Sequence, residues 1–543
     1  MHEWRGTVAA TLVALALLAA GCSPDTGHQG RGRASTAAPA ASAAPRERQQ
    51  RALPGLPPAL ARQRLAWEPC AAEDAPRGGR GPRPEAECAW LTVPVDYGAP
   101  TGQSIRIRVV RVRARAQDRR LGSLVFNPGG PGEAGAAMVA GGLFEATPAV
   151  TDRYDLVGFD PRGIGRSAPL ACPQGAGGDL IPRTREAAEA EFKAAADQGE
   201  SCRRASGPLL AHMDTVSVAR DLELLRAALD EPRLHYLGFS YGTYLGQHYA
   251  HLFPGRVGRF VLDGLVDPAT DQRRTARNDV TALDDSFAGY ARACVTLGCP
   301  LGRTPAEVVA RTTAFVRDLD AHPVPVPGGG RLTTALAVQG IRTPLYQAAR
   351  WPDLTRALVE AMDGSPGPLI DLAVEQVRVQ EQSQGQQRHG GRFPVPGAGA
   401  PAGDVDPTMA RNAVDCLDKP GPRTPAEVLA ELAGFEKASP LFGATVAAAL
   451  YHCAAWPLAP TGRAEPLTAP GAPPMVLVSY AVDPATPLAG ARAVRKNLGA
   501  GSLVVRQGTG HSAYASGSDC TDAAVDAFLV EDRLPPPNVE CSA

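Results

Sequence analysis

Six short apolar runs, each breaking into a turn rich in Gly, Pro, Asp or Ser, constrain this chain more than any other feature. Leu124-Val125-Phe126 breaks at Asn127-Pro128-Gly129-Gly130, Leu156–Phe159 at Asp160-Pro161-Arg162-Gly163, and Leu234–Phe239 at Ser240. Phe260-Val261-Leu262 breaks at Asp263-Gly264, Met475–Val478 at Ser479-Tyr480, and Leu503-Val504-Val505 at a Gly-rich turn. A strand that is apolar throughout needs cover on both faces. Such runs, separated by helix-length segments, predict a mostly parallel sheet with helices on both sides. Ile105–Val112 reads differently: Ile105, Ile107 and Val109 alternate with Arg106 and Arg108, as in a half-buried strand. Between about 269 and 440 the strand signal stops and helical periodicity takes over, as in Leu354, Leu358 and Ala361. That predicts a helical insertion, placed as a cap. Within it, Gln380–Gly403 reads either as a flap or as a plain surface loop.

Composition excludes several functions. Over 543 residues the net charge is −1, which argues against a strongly basic nucleic-acid binder. Aromatic residues make up 5%, too few for a sugar- or base-stacking surface. Only Lys193, Lys419, Lys437 and Lys496 are lysines, an Arg excess that reads as codon bias. No apolar run reaches the roughly 18–20 residues that span a bilayer, which excludes an integral transporter. The N-terminus instead carries Arg5, an apolar stretch Thr7–Ala20, and Leu17-Leu18-Ala19-Ala20-Gly21-Cys22. A short apolar core closed by small residues reads as an export signal over 1–21. Its end resembles a bacterial lipobox, which implies cleavage before Cys22 and a lipid on that sulfur, although Ala19 stands where Leu is usual. The other reading is plain secretion. Residues 22–58 hold almost no large apolar side chains and are expected to be a flexible tether. Ten cysteines remain: Cys70, Cys88, Cys172, Cys202, Cys294, Cys299, Cys416, Cys453, Cys520 and Cys541. An even number in an exported chain suggests disulfides, with sequential pairing as the simplest hypothesis. No spacing suggests zinc, and no cofactor motif is present, so no metal or cofactor is expected.

Chemistry concentrates at Gly238-Phe239-Ser240-Tyr241-Gly242. A GxSxG alone is weak, since chance supplies ~0.3 copies in a chain this glycine-rich. Here an apolar strand runs into it and a helix-like segment, Thr243–Phe253, leaves it. That context predicts a strand–turn–helix elbow that exposes the Ser240 hydroxyl as a nucleophile. Gly246 lets the helix lie close to the sheet. In such an architecture the acid and the base follow in that order. His511, on a Gly-flanked loop after a strand, is the candidate base. Asp483, after Met475–Tyr480, is the candidate acid, with Asp263 and Asp267 as competitors. Thr486 before Pro487 reads as a helix start, a hydroxyl cap that would also hold Asp483 in place. The oxyanion donors are expected to be the N–H groups of Tyr241 and of Gly130 in the first Gly-rich loop. A phosphate cradle is the rival for that loop, but no Lys follows and no GxGxxG is present.

Asn127–Gly132, Asp160–Ser167, Gly238–Gly242, Asp483–Pro487 and Gly510-His511 occur in the order seen in exported actinobacterial tripeptidyl aminopeptidases. The chain resembles these α/β-hydrolases of the proline iminopeptidase clan, peptidase family S33, over roughly residues 60–543. The resemblance implies an α/β-hydrolase fold with a helical cap inserted before the acid-bearing strand. Its expected parts are a core at 59–268, a cap at 269–440 and a returning core at 441–543. It also implies a serine exopeptidase with the triad Ser240, Asp483 and His511. Two departures stand out. Pro128 replaces the His of the iminopeptidases' HGGPG, and Lys419 follows Asn412–Asp418 where an aromatic is expected. An aminopeptidase must hold a protonated amine, for which Glu133, Asp415 and Asp418 are candidates. The expected partners are peptide or protein N-termini and a membrane reached through the lipid on Cys22, with no nucleic acid. The alternatives are a carboxylesterase or lipase on the same triad, or an inactive surface binding protein.

Overall fold

The computed structural model describes residues 53, 55–71, 74, 84–143, 146–173, 181–326, 329–383, 408–499 and 501–542. The export signal, Cys22, most of the tether and most of Gln380–Gly403 lie outside the described residues.

The strands in chain order are β1 (Glu68–Pro69), β2 (Ala86–Pro94), β3 (Ser104–Val112), β4 (Gly122–Asn127), β5 (Tyr154–Phe159), β6 (Leu234–Phe239), β7 (Val257–Asp263), β8 (Val324–Pro325), β9 (Arg331–Leu332), β10 (Met475–Val482), β11 (Gly501–Thr509) and β12 (Asn538–Cys541). Ten form one sheet, ordered β1-β2-β3-β5-β4-β6-β7-β10-β11-β12. From β5 to β12 every neighbouring pair is parallel. On the other side β3, β2 and β1 add antiparallel pairs. Each apolar run of the sequence is one of the parallel strands, and β4 and β5 are buried at every residue. Alternate side chains serve opposite faces: Leu124, Leu156 and Val261 join one core, Val125, Val157 and Leu262 the other. Such burial on both faces is what a period of two requires when helices cover both sides.

β3 departs from its alternation. Arg108, expected on the open face, is 5% exposed, because Asp74 meets its guanidinium at 2.6 Å. A buried cation survives only with such a partner.

Between β7 and β10 the chain makes nine helices among the described residues, from Gln272–Thr296 to Leu450–Ala454. They enclose their own apolar cluster, with Phe287, Ile341, Leu358 and Phe442 at its centre. The helices continue past residue 440, and strands resume only at Met475. The insertion also holds the β8–β9 hairpin, for which the sequence carries no strand pattern. The Arg185–Ser206 helix, which precedes the nucleophile strand, joins this layer: Ala188 packs with Val280, Leu432 and Tyr451. The ten cysteines pair sequentially, 70–88, 172–202, 294–299, 416–453 and 520–541.

Candidate active site

Ser240 sits at the turn between β6 and the Tyr241–Leu252 helix, with φ +53° and ψ −121°. A non-glycine residue persists in so sparse a region only when its surroundings hold it there. Here the Ser240 N–H donates to the Asp263 carbonyl at 2.9 Å, and the Ser240 carbonyl accepts the Thr243 N–H and hydroxyl at 2.8 and 2.7 Å. The flanking glycines are needed for space. A Cβ at Gly238 would lie 2.5 Å from the Gly242 carbonyl, and one at Gly242 2.6 Å from that of Asn127.

His511 follows β11, and Asp483 follows β10. Imidazole Nδ1 lies 2.9 Å from both Asp483 oxygens. A carboxylate on Nδ1 places the proton there and leaves Nε2 as the accepting nitrogen. Burial lowers the affinity of His511 for a proton, and the Asp483 charge and hydrogen bond outweigh it, so its pKa is raised. Asp483 is itself saturated: Oδ1 accepts the Ala485 and Thr486 N–H groups and Oδ2 the Thr486 hydroxyl, each at 2.8 Å. This corrects the expectation for Thr486. The following helix starts at Leu488 with Pro487 as its cap and no side-chain cap bond. The Thr486 hydroxyl goes to the carboxylate, a charged acceptor and so the stronger one. Of the competitors, Asp267 closes a local turn through the Ala269 N–H, and Asp263 lies buried behind His511 without a hydrogen bond to it.

The first Gly-rich loop packs against this elbow. Gly129 has φ +103°, and a Cβ there would meet the Phe239 carbonyl at 2.5 Å and the Tyr241 nitrogen at 3.1 Å. The Gly129 N–H is already given to Asn127 Oδ1 at 3.0 Å. Gly130 is next along the loop, and Tyr241 opens a helix, so its N–H has no acceptor within that helix. The Asp160–Ser167 motif is architectural. Asp160 accepts the Ala136 and Arg166 N–H groups at 3.0 Å, which pins the helix after the loop. Arg162, fully buried, clamps Asp221 at 2.7 Å.

The cap contributes residues that no sequence pattern marks. The Tyr346 carbonyl accepts the His511 N–H at 3.0 Å, and its ring stands edge-on to the imidazole at 5.2 Å. Arg342 faces the Tyr346 side chain and Asp279, both of which raise its pKa. Asp279 also feels Lys419, Arg411 and Asp415, and burial pushes it up to about 6. Glu133 is pushed up to about 7 by burial, against the pull of Arg411. Asp415 pairs with Arg411 at 3.5 Å and is 48% exposed, yet its carboxyl is raised by the enclosing protein. Asp418, which feels Asp415, is the most deeply held of the three sequence candidates. It is 5% exposed and takes the Thr215 N–H and hydroxyl at 2.7 and 2.5 Å. Thr215 in turn meets the Tyr241 hydroxyl at 2.5 Å. Lys419, in the aromatic's place, bonds the Thr270 and Thr275 hydroxyls at 3.0 and 3.2 Å and lies over the Tyr244 ring.

A family model described as alpha/beta hydrolase fold matches residues 122–311, and one described as TAP-like protein matches residues 439–541. Serine protease Hip1 of Mycobacterium tuberculosis is 34% identical over 502 residues, 88% of this chain and 91% of its own. A tripeptidyl aminopeptidase of Streptomyces lividans is 31% identical over 496 residues, 89% and 87% respectively. A carboxylesterase B of Mycobacterium tuberculosis is 34% identical over 477 residues, 84% and 86%.

Proposed function

The chain belongs to the TAP-like α/β-hydrolases, serine hydrolases with peptidases among their members, and on that premise we propose that it releases short peptides, tripeptides foremost, from free N-termini outside the cytoplasm. In this reading the Ser240 oxygen attacks the scissile carbonyl while His511 Nε2 takes its proton. Asp483 holds the Nδ1–H and stabilises the imidazolium. The N–H groups of Tyr241 and Gly130 hold the oxyanion. His511 then gives its proton to the departing amine, and water releases the peptide from Ser240 by the same steps in reverse roles.

One observation carries the exopeptidase reading. Asp279, Asp415 and Glu133 share the half-exposed guanidinium Arg411, with Arg342 and Lys419 also facing Asp279 and Lys419 facing Asp415, and their carboxyls are raised by enclosure. Enclosed carboxylates near the nucleophile are the groups that a protonated amine would pair with. The distance from these carboxylates to Ser240 would then count residues from the N-terminus. Export and a lipid at Cys22 form part of the proposal, and five disulfides support an oxidising compartment. The relative named carboxylesterase B keeps an esterase as the second reading.

The test compares a tripeptidyl fluorogenic amide, its N-acetylated twin, proline amide and a short p-nitrophenyl ester on the protein and on Ser240→Ala. Ser240-dependent cleavage of the free tripeptide, with the acetylated one refused, is expected. Ester cleavage with every amide untouched would overturn the peptidase reading.

A further inference from the structure

Asp263 is a buried carboxylate that the mechanism above does not use. It ends β7, between the nucleophile strand and the acid strand, paired with Phe239 on one side and Val478 on the other. It is 0% exposed. Its two functional ends point at two different parts of the site. The main-chain carbonyl accepts the Ser240 N–H at 2.9 Å. The side-chain Oδ2 accepts the Tyr514 N–H at 2.8 Å, on the loop that carries His511. Oδ1 is wholly buried and has no hydrogen bond of ordinary length; the Ala513 and Tyr514 N–H groups lower the carboxyl's pKa, and burial pushes it up to about 6, so it is mostly charged at pH 7. The residue after it, Gly264, has φ +72°, and a Cβ there would stand 3.0 Å from His511 Cε1 and 3.4 Å from Nδ1. The imidazole therefore packs directly over the Asp263–Gly264 backbone.

An unpaired oxygen in a dry site costs free energy that an apolar residue of the same shape would avoid. Asp483 already has every oxygen occupied. A second negative charge behind the ring adds what Asp483 cannot: more stabilisation of the imidazolium that forms when Ser240 gives up its proton. We propose that Asp263 is a positioning residue for His511, tying the nucleophile turn to the histidine loop through its two ends and favouring the charged imidazolium through its negative charge. This rests on the reading of Ser240 and His511 as nucleophile and base. The groups that titrate or carry charge against Asp263 are His511 and Asp483. Those against His511 are Asp483 and Asp263, with the Tyr346 ring on the cap side.

The experiment separates the tie from the charge. Asp263→Asn keeps an oxygen for the Tyr514 N–H and removes the charge, whereas Asp263→Ala removes both. Fluorophosphonate labelling of Ser240 and steady-state ester or amide cleavage are followed from pH 5 to 9, with melting temperature as the control. In Asp263→Asn the acid limb of kcat/KM is expected to move down by on the order of one pH unit. The plateau kcat should fall roughly tenfold, with KM unchanged. Asp263→Ala is expected to lose more kcat at every pH. A wild-type pH profile in Asp263→Asn overturns the proposal, and so does a uniform loss that tracks melting temperature. If Asp263→Asn does not fold, the His511 imidazole pKa in Asp483→Asn decides by NMR. At or above the ordinary 6.5 it supports a second charge behind the ring, and a value pushed below by burial contradicts it. Labelling that survives in Ser240→Ala would instead remove the nucleophile itself, a failure distinct from that of Asp263.

Discussion

Replacing Asp483 with asparagine tests how the site holds its proton. The side chain is 0% exposed, and both oxygens are occupied. Oδ1 receives two main-chain N–H groups, from Ala485 and Thr486, so the amide oxygen of asparagine must take that place. The NH2 then falls where Oδ2 was, facing the Thr486 hydroxyl and His511 Nδ1. A donor on Nδ1 forces that nitrogen to accept, which moves the ring proton to Nε2, the atom that should take the proton of Ser240. The fold barely notices an isosteric change, whereas catalysis loses its base. The expected loss is about 10⁴-fold in kcat, the size seen when such a triad holds the wrong tautomer, or about 5.5 kcal/mol of barrier. The assay is kcat/KM for a tripeptidyl amide and an ester from pH 5 to 9, beside a melting curve. Activity above about a tenth of wild type, with an unchanged pH profile, would refute the tautomer argument.

Other expectations follow from the same geometry. Thr486→Val removes one hydrogen bond to the Asp483 carboxylate and should cost about 1.5–3 kcal/mol of kcat/KM, with Thr486→Ser restoring most of it and the melting temperature steady in both. Asp418 is pushed up to about 8 by burial, so it is mostly neutral at pH 7. Asp418→Asn should therefore melt as wild type does, whereas Asp418→Ala strands the Thr215 donors and should lose about 1–3 kcal/mol by denaturant unfolding. Stability measured against pH should fall between pH 6 and pH 8. Glu133 and Asp418 are raised to about 7 and about 8, so their contributions are whole below the ordinary carboxylate range and are lost as pH rises to those folded values; His511 is raised too, so its contribution is whole below its ordinary value and lost above it. His235 and His248 are lowered to about 4 and about 3 by burial, so theirs are present above 6.5 and lost as pH falls. A melting temperature that climbs steadily from pH 6 to pH 8 would contradict these signs.

The parallel strands were legible because burial on both faces writes them as unbroken apolar runs. β1, β2 and β12 were not, being edge or antiparallel strands whose partners, rather than their own pattern, make them strands. Ser240, Asp483 and His511 could be picked out because each stands at a strand end with turn residues beside it. The structure brings Asp483 and His511 to 2.9 Å. Thr486 was legible as the residue that holds Asp483 in place, but not by what contact: its sequence suits a helix cap, whereas the folded hydroxyl bonds the carboxylate directly. Arg108 was placed outward by alternation, and Asp74, far from it in sequence, holds it in. The grouping of Asp279 with Arg342 and Tyr346 left no trace, since Asp279 lies on one cap helix and Arg342 and Tyr346 on and at the end of another. Asp263 was visible only as a rival acid. Its two-ended contact depends on the tertiary placement of the histidine loop.

The central claim is that Ser240 becomes acylated and that a free N-terminus is required for a peptide to reach it. The most direct measurement is mass spectrometry of the intact protein after a brief exposure to a tripeptidyl phosphonate with a free amine, beside its N-acetylated form. The account predicts a single adduct on Ser240 from the free-amine probe, little from the acetylated one, and none in Ser240→Ala. An adduct elsewhere, or none from either probe on folded protein, would contradict it.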